Sequence, residues 1–156
     1  MGNEGYMNYG RTDGTDTNQG RFIRSRVEQA LSADCTGSCV PLNLFGGPGT
    51  ISQDMLDYIS YTGTAATTYE QKTIHISAKN DELVELPAGF AGVFVGYETR
   101  EEEGAFIEDP LTEAGDTTGN KGESTQGNYS IDEIFLEINA PVIEGMLFNV
   151  AGRTSD

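Results

Sequence analysis

The sequence predicts an all-β protein: an antiparallel transmembrane β-barrel segment of about five strands, which as a fragment would form an open, curved sheet. Three observations lead to this prediction. Apolar and polar residues alternate with a period of two in several segments after residue 68. Short turns and long polar loops alternate between those segments. The longest mainly apolar run, residues 90–96, is far shorter than the roughly 20 residues that a membrane-spanning helix needs.

Each predicted strand has one apolar face and one polar face. In residues 130–140, for example, Ile134, Leu136 and Ile138 alternate with Glu133 and Glu137. A partial strand is expected at residues 5–11. The segments with the clearest alternation are residues 73–79, 90–102, 130–140 and 146–155.

The predicted connections are of two kinds. Tight turns are expected at residues 86–89 and 141–145, whereas long polar loops are expected at residues 12–66 and 104–128. Short turns at one end and long loops at the other are typical of outer-membrane barrels, whose long loops are extracellular. Within the first loop the spacing of apolar residues predicts two short helices. They cover residues 21–32 and 53–61, the second with Ser52 as N-cap.

The charge of the chain excludes several partners. Its 156 residues include 25 acidic and 9 basic side chains, which gives a net charge of −16. A nucleic-acid partner and a polybasic anchor to a membrane surface are therefore not expected. Cys35 and Cys39 lie four residues apart, and a small disulfide loop is expected because two cysteines and one histidine cannot build a zinc site. A disulfide without an export signal suggests an internal part of a longer protein.

The candidate site residues are polar side chains expected to face the interior of the barrel. They lie on the polar faces of three strands and comprise Glu98, Arg100, Glu102, Glu133, Glu137 and Arg153. A glycosidase would need two carboxylates roughly 5–9 Å apart, and nothing in the sequence selects such a pair. His75 lies on the polar side of its strand without a nucleophile motif, and a solvated role is expected for it. We therefore expect no catalytic residue, no metal site and no cofactor.

Four segments, in order, carry a resemblance to a known family. They are CVPLNLFGG at residues 39–47, LPAGFAGVFVGYETREE at 86–102, NYSIDEIFLEINAPVI at 128–143 and FNVAGRTSD at 148–156. This series resembles the TonB-dependent receptors of the proteobacterial outer membrane. Because several linked motifs occur at plausible spacing, the resemblance is more specific than any one motif.

The resemblance implies a barrel of about 22 strands closed around a plug domain. It implies energy-coupled uptake of a scarce nutrient, either an oligosaccharide or a chelated, siderophore-like metal, in the cell outer membrane of a Gram-negative bacterium. The implied partners are the TonB complex, which acts through a plug domain outside this chain, lipid on the outer barrel face, and a ligand at the extracellular loops. This chain would be a mid-barrel fragment, in which Gly92 and Gly96 let the plug approach closely. The alternative is a soluble secreted β-sandwich, either an adhesin or a carbohydrate-binding module.

Overall fold

The computed structural model describes all 156 residues as five strands and three short helices. All five strands belong to one open antiparallel sheet in the order β1-β2-β3-β4-β5, so each strand pairs with its neighbour in sequence. The all-β prediction and the open five-stranded sheet are confirmed. None of the helices is long and apolar enough to cross a membrane. The elements are β1 (Gly2–Phe22), α1 (Arg24–Leu31), α2 (Gln53–Ile59), β2 (Ser60–Leu86), β3 (Gly89–Ile107), α3 (Pro110–Ala114), β4 (Thr125–Ile143) and β5 (Met146–Ser155).

The strands are longer than predicted at their loop ends. Strand β1 continues to Phe22 and β2 begins at Ser60, so the predicted loop boundaries at residues 12 and 66 were wrong. The boundaries of the 104–128 loop are likewise moved inward by the ends of β3 and β4. The strand in residues 12–20 was missed because its side chains are polar on both faces. Such a strand shows no alternation of apolar and polar residues from which it could be predicted.

The two tight turns lie where they were predicted. Pro87 and Ala88 join β2 to β3, and Glu144 and Gly145 join β4 to β5. Gly145 has a φ of 80°, which a residue with a side chain rarely adopts. Strands β4 and β5 are paired so that Leu136 lies opposite Gly152, and the register shifts after Pro141. Proline has no amide hydrogen for the ladder, which explains an irregularity at that position.

Both predicted helices are present, slightly shorter than expected. Helix α2 begins at the predicted cap, where the Ser52 side chain accepts a hydrogen bond from the Met55 amide. Helix α3 was not predicted. Its signals are an Asp109 cap that accepts from two amides, a proline in the first turn and Gly115 after the last turn with a φ of 76°.

The chain divides into two compact units. The sheet unit consists of residues 1–12, 69–104 and 127–156, and the loop unit consists of residues 13–68 and 105–126. In the sheet unit the only buried apolar residue is Ala91. The apolar faces of its strands are open, because Ile76 is 60% exposed, Ile134 55% and Leu136 45%. The sheet unit is therefore a single layer without a core of its own.

The loop unit contains a small hydrophobic core. Ala30 of α1, Ile59 of α2 and Leu42 from the intervening loop are buried together. Backbone hydrogen bonds connect distant segments of this unit: the Ile23 amide donates to the Ile59 carbonyl at 2.8 Å, and the Leu42 amide donates to the Ala30 carbonyl at 3.0 Å. Partly buried side chains surround the core, namely Phe22, Val27, Met55 and Tyr58.

Candidate functional site

The polar face of the sheet unit carries all six of the predicted site residues. The alternation of side chains in β3 puts Glu98, Arg100 and Glu102 on one face, as predicted from the period of two. The structure distributes the six residues among four separate clusters, each with its own hydrogen bonds.

The first cluster is centred on Glu102. Its carboxylate accepts a hydrogen bond of 2.6 Å from the Tyr69 hydroxyl and another from the Tyr129 hydroxyl. The Arg100 Nε atom lies 3.3 Å from the same carboxylate. With two hydroxyl donors and one cation, the Glu102 side chain is only 12% exposed. Tyr69 and Tyr129 were not among the predicted site residues.

The second cluster joins Glu98 to two rings. The Nδ1 atom of His75 lies 3.1 Å from a Glu98 carboxylate oxygen, and the Tyr6 hydroxyl donates to that oxygen at 3.4 Å. The His75 side chain is 14% exposed. The expectation of a solvated His75 was therefore wrong, because neighbouring strands place rings on both sides of it.

These rings form an aromatic row across the sheet, made of Tyr6, His75 and Phe135. The Tyr6 and His75 rings are stacked with centroids 4.8 Å apart, and the His75 and Phe135 centroids are 5.6 Å apart. Between them on β3 lies Gly96, where an added Cβ would overlap the Phe135 ring. Gly96 is thus already covered by a side chain of this chain, which contradicts the expected close approach of a plug at that position. Phe94, an apolar residue on the same face of β3, also contacts this row, with its ring centroid 5.4 Å from that of Phe135.

The third cluster is an ion pair between β4 and β5. Arg153 contacts Glu133 with two of its nitrogens, Nε lying 2.9 Å from one carboxylate oxygen. The Ser155 hydroxyl donates to the same carboxylate at 2.6 Å. A forked contact of this kind fixes the orientation of both side chains.

The fourth cluster surrounds Glu137 and contains no cation. Its carboxylate accepts hydrogen bonds from the Asn139 and Asn149 side-chain amides, at 3.1 and 2.8 Å. The two arginines among the candidate residues, Arg100 and Arg153, are paired with Glu102 and Glu133 and not with Glu137. The sequence could not decide this, because the pairing depends on the register between strands.

The loop unit contains a local disulfide and a carboxylate that connects two of its segments. Cys35 and Cys39 form a disulfide with their Cα atoms 5.3 Å apart. Asp116 accepts hydrogen bonds from the Ser25 amide at 2.7 Å and from the Ser25 hydroxyl at 2.6 Å. These two bonds hold the pKa of the Asp116 carboxyl below its usual value, because they favour the ionised form.

The polar face is therefore an internally bonded surface of carboxylates, amides and rings that can offer hydrogen bonds to a ligand or to another protein segment. Comparisons with protein-family models, with curated proteins and with solved structures found no match. The family resemblance of the four sequence segments stays a prediction.

Proposed function

We propose that this chain forms part of the barrel wall of a TonB-dependent receptor that imports a scarce nutrient, an oligosaccharide or a chelated metal, across a bacterial outer membrane. The observation that carries this proposal is the inverted burial of the sheet unit. The carboxylates of Glu98, Glu102 and Glu133 are largely covered, whereas large aliphatic side chains are exposed. In a transmembrane barrel the aliphatic face meets lipid and the polar face meets the interior.

The contrast between the two faces is clear on a single strand. On β4, Ile134 and Leu136 are about half exposed, whereas the side chain of Glu133, which directly precedes Ile134, is 18% exposed. In water, exposed aliphatic rows of this length are unfavourable, since each buried aliphatic side chain contributes roughly 1.5–3 kcal/mol. A lipid environment removes that cost without requiring a second protein layer.

The edges of the sheet support the same proposal. Strand β1 pairs only with β2, and β5 pairs only with β4, so each carries one unpaired edge. Unpaired backbone groups are not tolerated in hydrocarbon, so a membrane location requires further strands on both sides. Those strands would belong to the same barrel.

The alternative of a soluble β-sandwich requires two sheets that bury their apolar faces against each other. The five strands of this chain form one sheet, and no second sheet packs on it. No observation on the structure favours the sandwich over the receptor.

The proposal is tested by asking whether the apolar face needs lipid or detergent. The wild-type chain and a variant with Ile134, Leu136 and Ile138 replaced by serine are refolded with and without detergent micelles. We expect the wild-type chain to aggregate without detergent, and the serine variant to lose its affinity for micelles.

The matched control replaces Glu133 and Glu137 on the opposite face of the same strand with glutamine, and it should keep the affinity of the wild type for micelles. Sedimentation velocity measures the result. A wild-type chain that is monodisperse in detergent-free buffer would contradict the receptor proposal and would favour a soluble protein.

A further inference from the structure

The carboxylate of Glu137 on β4 uses only one of its two oxygens for hydrogen bonds. The Asn139 and Asn149 side-chain amides both donate to Oε1, at 3.1 and 2.8 Å, whereas Oε2 accepts no hydrogen bond from the chain. Glu133 on the same strand differs, because Arg153 contacts both of its oxygens. The Glu137 side chain is half-buried, and its second oxygen remains able to accept a hydrogen bond from a ligand.

Two cavities of the sheet unit include Glu137 in their walls. One has a volume of about 290 Å³ and is also lined by Gly92 and Phe94. The other has a volume of about 300 Å³ and is also lined by Phe94, Phe135 and Ala151. The space exists because small residues line the walls. Gly92 has no side chain, and Ala151, which lies opposite Glu137 in the register of β4 and β5, has only a methyl group.

The charges around these cavities favour a cationic ligand. Lys79 lines the first cavity and lies 3.1 Å from Asp81, and Arg153 lines the second cavity and is paired with Glu133. Both positive charges are therefore compensated within the chain, whereas the negative charge of Glu137 is not. This carboxylate would repel an anionic ligand and attract a cationic one.

The aromatic rings in the walls restrict the ligand further. The ring centroids of Phe94 and Phe135 lie 5.4 Å apart. The face of such a ring attracts a cation and also packs against an alkyl chain. A guanidinium group binds a carboxylate best through both oxygens, but Oε1 of Glu137 already accepts from two amides. A compact primary ammonium group needs only one oxygen, and unlike a quaternary ammonium it has N–H groups to donate.

We propose that Glu137 and Phe94 bind the primary ammonium group of a small amine on the polar face of the sheet. The ammonium group donates to Oε2 of Glu137, and the alkyl part of the amine packs against the Phe94 ring. The volume of the cavities is that of a small-molecule site, at the lower end of the usual range. The site goes beyond the receptor proposal and does not depend on it, because all of its residues belong to the sheet unit.

The test titrates the complete 156-residue chain, in micelles of an uncharged detergent, with n-butylammonium chloride. The NMR signals of the Asn139 and Asn149 side-chain amides report binding, because both groups contact Glu137. We expect a saturable shift of these signals. At equal ionic strength, guanidinium, tetramethylammonium and the uncharged 1-butanol should each bind at least about 5-fold more weakly. The comparison with 1-butanol separates binding at the carboxylate from partition of the butyl chain into the micelle.

Two variants test the residues themselves. Glu137→Gln keeps an oxygen for the asparagine amides but loses the charge, and it should bind n-butylammonium at least about 10-fold more weakly. Phe94→Leu removes the ring and should bind it about 2- to 5-fold more weakly. The matched control is Glu144→Gln, which removes the same charge from the tight turn outside both cavities and should bind like the wild type. Amide exchange at Ile138 and Val150, a pair of β4 and β5, checks that each variant keeps the strand pairing.

The inference is overturned if the wild type shows no saturable shift with n-butylammonium, if 1-butanol binds as tightly, or if Glu137→Gln binds as well as the wild type. These results are separate from the receptor test. A chain that needs no detergent and binds the amine through Glu137 would contradict the receptor and keep the inference. A chain that needs detergent and binds no amine would do the reverse.

Discussion

The sheet unit and the loop unit are stabilised by different interactions. The loop unit gathers apolar side chains such as Leu42 and Ile59 into a small core, as a water-soluble domain does. The sheet unit has no such core, and its order rests on strand pairing and on polar clusters such as Glu133 with Arg153. The comparison shows that buried apolar side chains stabilise one unit of the chain, whereas strand pairing and polar clusters stabilise the other.

The largest effect that would test this difference is expected from a charge on the apolar face of β4. In the receptor proposed above, Leu136→Arg should lower the stability of the membrane-inserted barrel by about 2–4 kcal/mol, because a cation would face hydrocarbon. Glu137→Arg on the other face should cost about 1 kcal/mol, since it loses two amide hydrogen bonds but stays hydrated. Heat-modifiability of the proposed receptor in outer-membrane preparations measures both effects. Equal losses for the two variants would contradict the assignment of the faces.

The next effect concerns the core of the loop unit. Ile59 is 4% exposed, and Ile59→Ala should lower the local free energy of unfolding by about 2–3 kcal/mol, because it leaves a cavity. Ile51→Ala, at a half-exposed position in the same unit, should change it by less than about 0.5 kcal/mol. Hydrogen exchange of the Ile23 and Leu42 amides reports this change. If both variants exchange like the wild type, the loop unit does not depend on its core.

A smaller effect is expected at the cap of helix α3. Asp109 accepts from the Leu111 and Thr112 amides and also from the Thr64 amide at 3.2 Å. Asp109→Ala should cost about 1–2 kcal/mol of local stability because three donors lose their acceptor. Asp109→Asn keeps one oxygen and should cost less. Amide exchange at Leu111 and Thr112 separates the two variants, and wild-type protection in Asp109→Ala would argue against this cap.

The smallest effect is a dependence on pH at Asp116. Since its pKa is lowered in the folded state by the hydrogen bonds from Ser25, its stabilising effect is present above the unfolded pKa of about 4. The effect is lost as pH falls through the lowered folded value. Exchange of the Ser25 amide, corrected for the intrinsic rate, should therefore become faster below about pH 4.

Two variants control this experiment. Asp116→Asn should remove the pH response, whereas Asp34→Asn, a change elsewhere in the loop unit, should keep it. A response that survives in Asp116→Asn would show that another group is responsible.

Much of the sheet could be predicted from the sequence, because the period of two marks strands whose two faces differ in polarity. That signal gave the tight turns and the apolar face of β4. It failed for residues 12–20 of β1, where both faces are polar and the strand is defined by its backbone pairing. Helix α3 has only five residues, too few for a helical period, although Asp109 and Gly115 marked its ends.

The sequence could predict which residues line the polar face, but not which of them form hydrogen bonds or ion pairs with one another. The sequence placed Glu98, Glu102 and Glu133 on polar faces, yet it could not identify the partners of these carboxylates. Tyr129 becomes a partner of Glu102, and Arg153 a partner of Glu133, through the register between paired strands. Local patterns carry no information about such a register, so the clusters are visible only in three dimensions.

The contact of Phe135 with Gly96 has a consequence for how β3 and β4 align. Sliding β4 by two residues would keep the same face inward but would move the Phe135 ring onto Phe94 or Glu98, where side chains already fill the space. Only Gly96 leaves room for the ring. The fit of the Phe135 ring over Gly96 therefore selects one register between the two strands. A larger residue at position 96 would be tolerated only together with a smaller one at position 135.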